Sequence, residues 1–204
     1  MIDIEKLKRT PLYDAHVRLG ARMVDFAGWE MPIQYEGISA EHEAVRTSAG
    51  MFDVSHMGEV EFTGLGAFDY LQYLVTNDVS TINNNQMLYT FMCYPDGGVV
   101  DDIIVYRRNE SSYMAIINAS NIDKDISWMR EQAGAYDVDI KDRSNELSLV
   151  AIQGPKAQEL LGELVDIDLN DIGFFNFSED AKCAGKPCMI SRSGYTGEDG
   201  FEIC

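Results

Sequence analysis

Short runs in which apolar and polar residues alternate recur along the chain, and most of them end at Gly, Pro, Asn or Asp. Alternation with a period of two is typical of β-strands that bury one face. The pattern predicts strands over residues 22–26, 59–63, 88–94, 99–107, 113–118, 136–141, 147–153 and 201–204, and a hairpin over 182–192 that turns at 184–187. Short turns join three of these strands, 88–94, 99–107 and 113–118, which should therefore be adjacent and antiparallel.

Helices are predicted between the strands, from apolar positions at helical spacing and from residues that favour helix ends. They cover residues 40–49, 66–75, 120–134 and 155–165. The first follows Ser39, which resembles an N-cap, and the third begins with Ser120, whose spacing to Asp123 resembles a capping box. Because strands and helices do not alternate strictly, the order indicates an α+β fold with antiparallel sheets and packed helices.

The hairpin between residues 94 and 106 carries two carboxylates in an otherwise apolar strand. Alternation places Asp101 on one face with Ile103 and Val105, and Asp102 on the other. A carboxylate in an apolar row is unfavourable unless it is paired, hydrogen-bonded or set in a cleft, so at least one of the two should have a specific partner. The alternative is that both lie at the wet end of the strand and bond only to neighbouring backbone groups.

Charge and composition narrow the class of function. The 204 residues include 34 acidic and 16 basic side chains, a formal net charge of −18, which argues against nucleic acid and against an anionic membrane surface. Residues 1–9 are polar, and no apolar run reaches the ~18 residues of a membrane span. The four cysteines and the three histidines show no metal-ligand spacing, so no metal site is expected and a reducing cytoplasm with ordinary thiols is the better interpretation.

Two further stretches hold candidate binding groups. The loop at 194–200 has glycines but no lysine, and its carboxylates would repel phosphate. Its glycines would let the backbone approach a planar ligand with Tyr195 as a wall, or they form a turn that enters a strand. Glu202 in that strand suits solvent or a pocket equally. Tyr89 and Asn118 offer polar ends that a buried heterocycle could use, although the residues around Tyr89 are typical of a core.

The chain also contains eight sequence blocks that resemble one known family when they are taken in order. The first four are Thr-Pro-Leu-Tyr at 10–13, Gly-Ala-Arg-Met-Val-Asp-Phe-Ala-Gly-Trp-Glu-Met-Pro at 20–32, Glu-His-Glu-Ala-Val-Arg at 41–46 and Met-Phe-Asp-Val-Ser-His-Met at 51–57. The others are Gly-Gly-Val-Val-Asp-Asp-Ile-Ile-Val-Tyr at 97–106, Ile-Asn-Ala-Ser at 117–120, Gln-Gly-Pro at 153–155 and Gly-Tyr-Thr-Gly-Glu-Asp-Gly-Phe-Glu at 194–202. In this order they resemble the aminomethyltransferase family, the T-protein of the glycine cleavage system.

The resemblance implies a tetrahydrofolate-dependent enzyme. Such an enzyme takes the aminomethyl group carried on the lipoyl arm of the H-protein, releases ammonia and forms 5,10-methylenetetrahydrofolate. By position in the matching blocks, Asp101 rather than Asp102 would be the catalytic carboxylate, which can orient the reacting nitrogens of folate, hold a proton and stabilise positive charge. The folate pocket would be lined by four side chains, Tyr89, Asn118, Tyr195 and Glu202.

Members of that family run further than this chain, through a C-terminal barrel-like domain that supplies basic residues to the glutamate tail of folate. The resemblance therefore implies a T-protein-like fold without the barrel, with a discontinuous first domain at 1–50 and 135–204, incomplete at its C-terminus, and an inserted α+β domain at 51–134. Surface that the missing part would cover favours self-association. The alternatives are a folate-dependent demethylase relative, a non-catalytic folate-binding module, or an inactive fragment.

Overall fold

The computed structural model describes residues 7–204, so residues 1–6 of the predicted polar start lie outside it. Within the described residues the α-helices are α1 (Tyr13–Arg18), α2 (Ile38–Thr47), α3 (Ala67–Leu74), α4 (Ile122–Gln132) and α5 (Ala157–Gly162). The strands are β1 (Arg22–Phe26), β2 (Trp29–Gln34), β3 (Gly50–Asp53), β4 (Gly58–Thr63), β5 (Gln86–Cys93), β6 (Val99–Asn109), β7 (Ser112–Ile117), β8 (Asp139–Asp142), β9 (Val150–Gln153), β10 (Phe177–Cys183), β11 (Lys186–Ser191) and β12 (Gly200–Ile203). These strands pair antiparallel throughout, which confirms the α+β class.

The chain forms two compact units. One unit consists of the chain as far as His56 together with Ser148–Cys204, and the other is Met57–Leu147. The predicted domains, at 1–50 with 135–204 and at 51–134, have boundaries after residues 50 and 134. In the structure the boundaries follow His56 and Leu147. Strand pairing explains the difference, because β3 pairs with β9 in the first unit and β8 pairs with β4 in the second.

The unit at Met57–Leu147 contains a five-stranded sheet in the order β5-β6-β7-β4-β8. Apolar side chains from α3 and α4 pack on one face of this sheet and form its core with residues such as Phe62, Ile103 and Tyr113. The predicted β5–β6 hairpin is present and turns through Gly97, whose φ of 89° favours glycine. A register shift between Met92 and Cys93 makes a bulge next to the turn, and Asp101 lies opposite Met92.

The other unit contains a five-stranded sheet in the order β10-β11-β12-β9-β3 and the two-stranded sheet of β1 and β2. Its core includes Leu161 of α5, Ile190 of β11 and Phe201 of β12. The β10–β11 hairpin turns at Ala184 and Gly185, which have φ angles of 49° and 78°. Two successive residues in the left-handed region make the turn shorter than the predicted one at 184–187.

Two predicted helix starts are wrong. Helix α2 begins at Ile38, so Ser39 lies inside its first turn, and the Glu41 carboxylate accepts the Tyr35 and Gly37 N–H groups at 2.7 and 2.9 Å instead. Ser120 belongs to a 3-10 turn at Ala119–Asn121 that precedes α4 and makes no side-chain cap. In both places another local hydrogen-bonding arrangement replaces the predicted cap.

Helix α5 is shorter than predicted and ends at Gly162, because Val165 forms a β-bridge with Cys183. None of the helices within residues 7–204 is both long and apolar enough to span a membrane.

Candidate active site

Asp101 lies near the start of β6 and is 5% exposed. Its Oδ1 accepts hydrogen bonds from the side-chain amides of Asn118 at 3.1 Å and Asn121 at 2.8 Å, and its Oδ2 accepts the Asn118 backbone N–H at 3.3 Å. Asn118 directly follows β7, the neighbour of β6, and Asn121 ends the 3-10 turn that leads into α4. The carboxylate therefore has the specific partners that its place in an apolar row predicted.

Asp102 accepts hydrogen bonds from a different set of groups. Its Oδ2 accepts the Tyr89 hydroxyl at 2.9 Å and its Oδ1 accepts the Asn118 amide at 3.3 Å. Tyr89 stands opposite Ile104 in the β5–β6 pair, and Ile104 shares a strand face with Asp102, which explains why the two meet. Asn118 thus connects both carboxylates, and Tyr89, Asp102, Asn118 and Asp101 form one continuous hydrogen-bonded row.

Asp125 adds a third carboxyl group that the sequence analysis did not single out. It lies on α4 and is completely buried, and its carboxyl group and that of Asp101 shift each other's pKa. Its position in the helix follows Ile122 by three residues and precedes Met129 by four, so it belongs to the buried face of α4. Asp125 interrupts an apolar helical stripe, just as Asp101 interrupts an apolar strand. This pattern could have identified Asp125 from the sequence.

The two neighbouring carboxyl groups have opposite pKa shifts. Burial acts to raise the pKa of Asp101, but hydrogen bonds from Asp125, Asn118 and Asn121 outweigh burial and hold it below its ordinary value. Burial raises the pKa of Asp125 to about 8, and the adjacent Asp101 carboxylate adds to the increase while Lys124 opposes it. The lowered pKa favours the ionised form of Asp101, and the raised pKa favours the protonated form of Asp125.

Tyr195 and Glu202 belong to the other unit, in the loop at 194–200 and in β12. The Glu202 carboxylate accepts the Ser193 hydroxyl, while burial raises its pKa above the ordinary value. Tyr195 is fully exposed. The structure therefore places Asp101, Tyr89 and Asn118 in the unit at Met57–Leu147 and the remaining two predicted residues in the other unit.

The glycine-rich loop folds around the side chain of Gln153. The Gln153 amide donates to the Ser193 carbonyl at 2.9 Å and accepts the Thr196 hydroxyl at 2.8 Å. A Cβ atom added to Gly194 or Gly200 would lie 2.0 or 2.3 Å from that amide. Glycine is thus needed at these two positions because the backbone approaches a buried glutamine closely.

His16 is buried in the same unit and makes two side-chain contacts. Its Nε2 lies 2.9 Å from Asp53 Oδ2, and its Nδ1 lies 2.7 Å from the Tyr35 hydroxyl. Asp53 also accepts the Thr10 hydroxyl at 2.6 Å. This arrangement satisfies the hydrogen-bonding groups of a buried histidine.

The cysteines within the described chain, Cys93, Cys183, Cys188 and Cys204, are all free. Burial raises the pKa of the Cys183 and Cys188 thiols, which disfavours reactive thiolates there. No group of three or more His, Cys, Asp or Glu side chains within residues 7–204 is arranged to bind a metal ion.

Fold and site together define a class, α+β proteins with antiparallel sheets in which one unit holds a buried carboxylate between asparagine amides. The GCVT N-terminal domain family matches residues 12–204. The chain belongs to this family, and the resemblance seen in its sequence blocks is thereby confirmed.

Curated relatives agree with the family. The chain is 61% identical over 198 residues to the aminomethyltransferase of Alkaliphilus oremlandii. The matched residues cover 97% of this chain and 54% of that protein. It is 53% identical over 197 residues to the aminomethyltransferase of Bacillus subtilis, again with 97% of this chain and 54% of the relative covered. The chain thus spans about half the length of the curated relatives it matches.

Solved structures share the fold. The glycine cleavage system aminomethyltransferase T from Bartonella henselae superposes with a TM-score of 0.87 at 34% identity, covering 97% of this chain and 53% of that one. A heterotetrameric sarcosine oxidase from Corynebacterium sp. U-96 superposes with a TM-score of 0.56 at 14% identity over 81% of this chain, which is a likeness of fold alone.

Proposed function

We propose that this chain carries folate-binding and catalytic residues of a tetrahydrofolate-dependent aminomethyltransferase of the glycine cleavage system. The reaction takes the aminomethyl group from the lipoyl arm of the H-protein, releases ammonia and forms 5,10-methylenetetrahydrofolate. The observation that carries the proposal is the 61% identity to an aminomethyltransferase across 97% of the chain. The Asp101 cluster supports it, because it supplies an ionised, buried carboxylate where the matching block predicts one.

Each unit by itself offers polar groups that suit a folate. A pterin ring presents N–H donors, which need acceptors when they are buried. Within the described residues the Asn118 side-chain oxygen and Glu202 Oε1 accept no hydrogen bond, so each can accept one from a ligand. Tyr89 is 43% exposed and can lie against a ring while its hydroxyl stays on Asp102.

Asp101 would act through its charge. Bound tetrahydrofolate supplies the nitrogens that accept the one-carbon unit. The hydrogen bonds from Asn118 and Asn121 fix the Asp101 carboxylate, and its lowered pKa keeps it ionised. A fixed negative charge stabilises positive charge that develops beside it and costs no rearrangement when it does so.

Asp101→Asn should strongly reduce turnover while preserving the shape of the side chain and part of the folate affinity. We expect a loss of about 10²–10³-fold in kcat, the range for removal of one preorganised electrostatic contact. The measurement is methylenetetrahydrofolate formation from aminomethylated H-protein, with this chain and with one of its longer relatives carrying the same changes. Tetrahydrofolate binding is followed separately by titration calorimetry.

Asp102→Asn and Asp139→Asn serve as matched comparisons in the same unit. Asp139 is an exposed carboxylate of β8, so Asp139→Asn should turn over normally. Asp102→Asn should lose less turnover than Asp101→Asn, because its oxygen can still accept the Asn118 amide while its NH2 group donates to the Tyr89 hydroxyl oxygen. Near-normal turnover of Asp101→Asn would rule out the proposed role. Normal turnover with methylated amine donors and none with the H-protein would favour a demethylase instead.

A further inference from the structure

Asp125 is a buried carboxyl group without an ordinary partner. It is 0% exposed, and no N–H or O–H group in the described chain donates a hydrogen bond to either of its oxygens. The Lys124 ammonium lies 3.6 Å from Oδ1, beyond hydrogen-bonding distance, and donates instead to the Val100 carbonyl. An ionised carboxylate in this position would be strongly unfavourable.

The charged groups around Asp125 come from two elements. Lys124 lies on the same helix and is 43% exposed at its side chain, so solvent weakens its effect. Asp101 approaches from β6 and is itself buried. Two carboxylates are both acceptors, so this contact becomes a hydrogen bond only when one of them carries a proton.

We propose that Asp125 is a positioning residue for Asp101, and that the two carboxyl groups share one proton, which resides on Asp125 and is donated to the Asp101 carboxylate. The inference rests on the proposed function of Asp101 and names a group that acts through it. The asparagine amides bond to Asp101 from the residue after β7 and from the 3-10 turn, and Asp125 adds a donor from α4. Asp101 is thus held from three elements while it remains ionised.

The arrangement depends on pH in a defined direction. Below a pH of about 8 Asp125 keeps its proton and donates to Asp101. When the pH rises through that value, the proton is lost, and two adjacent buried carboxylates repel each other. The geometry of Asp101 should therefore deteriorate on the alkaline side.

The proton can be observed directly in this chain without any ligand. Isotope-edited infrared spectroscopy with carboxyl-labelled aspartate detects protonated aspartates separately from glutamates. We expect one protonated aspartate at neutral pH, absent from Asp125→Asn and retained in Asp123→Asn, which changes an exposed carboxylate of the same helix. In Asp101→Asn the titration midpoint of this signal should move to lower pH, because the repelling neighbour is gone. Absence of the signal from the native chain, or its persistence in Asp125→Asn, overturns the proposal.

A second measurement separates positioning from mere packing. Tetrahydrofolate affinity is measured across pH for the native chain, Asp125→Asn and Asp125→Leu. The native chain should lose affinity as the pH rises through about 8. Asp125→Asn keeps a donor that cannot ionise, so its affinity should match the native value at neutral pH and stay constant above it. Asp125→Leu offers no donor and should bind about ten- to a hundredfold more weakly, the range for lost supporting contacts.

The infrared and the folate-affinity measurements together distinguish failure of this inference from failure of the proposed function. If no variant binds folate but the shared proton is present, the proposed function fails and the carboxyl pair stands. If folate binds and Asp125→Asn keeps the native alkaline loss, Asp125 does not position Asp101 and the inference fails.

Discussion

Glu59 is a second carboxyl group whose burial predicts a measurable effect. It is 0% exposed on β4, neither oxygen has a hydrogen-bond partner among the described residues, and burial raises its pKa to about 8, with the Asp142 carboxylate adding to the shift. Between its ordinary value of 4.5 and about 8, the folded chain keeps a proton that the unfolded chain has lost. The stabilisation that this proton gives is complete below 4.5 and is lost as the pH rises to about 8.

Glu59→Gln should therefore flatten the decline of stability in that interval. One proton contributes at most about 1.4 kcal/mol per pH unit to the free energy of unfolding. Urea unfolding at about pH 5 and about pH 8 measures the difference. Glu61→Gln is the matched control: burial is outweighed there by Arg108 and Arg143, the Glu61 pKa is lowered, and its contribution disappears only in acid. If the free energy of unfolding of Glu59→Gln falls between these pH values as much as that of the native chain, the prediction is wrong.

The candidate site shows what a sequence reveals about single residues. Asp101 and Asp102 stood out because they interrupt an apolar strand, and Asp101 indeed has specific partners. Asp125 interrupts an apolar helical stripe in the same way, but a stripe is recognised by its apolar members, and its one polar member was passed over. The contribution of Asn121 could not be predicted, because it depends on the 3-10 turn that aims its amide.

At the scale of elements, local patterns predicted what local contacts determine. The β5–β6 hairpin and helix α3 follow from turn residues and from periodicity within a few residues. Strand β3 was missed because it pairs only with β9, so that Met51 meets Ile152 across a long sequence separation. Strand β2 was missed as well, since it contains Pro32, which has no N–H to donate.

The glycine-rich loop predicts a steric effect. Gly200 has no positive φ, so Gly200→Ala tests packing alone: its Cβ would lie 2.3 Å from the Gln153 amide, which is 1% exposed and bound to the Ser193 carbonyl. Displacing this amide breaks a buried hydrogen bond, and we expect a loss of about 1–3 kcal/mol in the free energy of unfolding.

The comparison is with Gly162→Ala at the end of α5, where a Cβ meets nothing within 4 Å and stability should be unchanged or slightly higher. In a Gln153→Ala background the Gly200→Ala change should cost much less, because the clashing amide is absent. An equal cost in both backgrounds would show that the strain comes from elsewhere.

At the scale of the whole molecule, each unit contains a hydrophobic cluster built from its own residues. Val60 and Met129 belong to a cluster of the unit at Met57–Leu147, and Leu161 and Phe201 belong to one in the other unit. The net charge of −18 is a property of the entire chain and favours solubility through mutual repulsion. Self-association therefore needs an apolar surface that outweighs this repulsion.

Such a surface surrounds a cavity of about 640 Å³ in the first unit, where Ile38, Met51 and Phe52 are 62%, 71% and 39% exposed. Contiguous exposed apolar side chains of this kind favour association, so we expect the weight-average mass in light scattering to rise with concentration, more strongly in high salt, which screens the repulsion. Met51→Glu should weaken the association. Leu65→Glu, at an 87% exposed position of the other unit, should leave it unchanged. A constant monomer mass at all concentrations in high salt would show that this surface does not associate with a second copy.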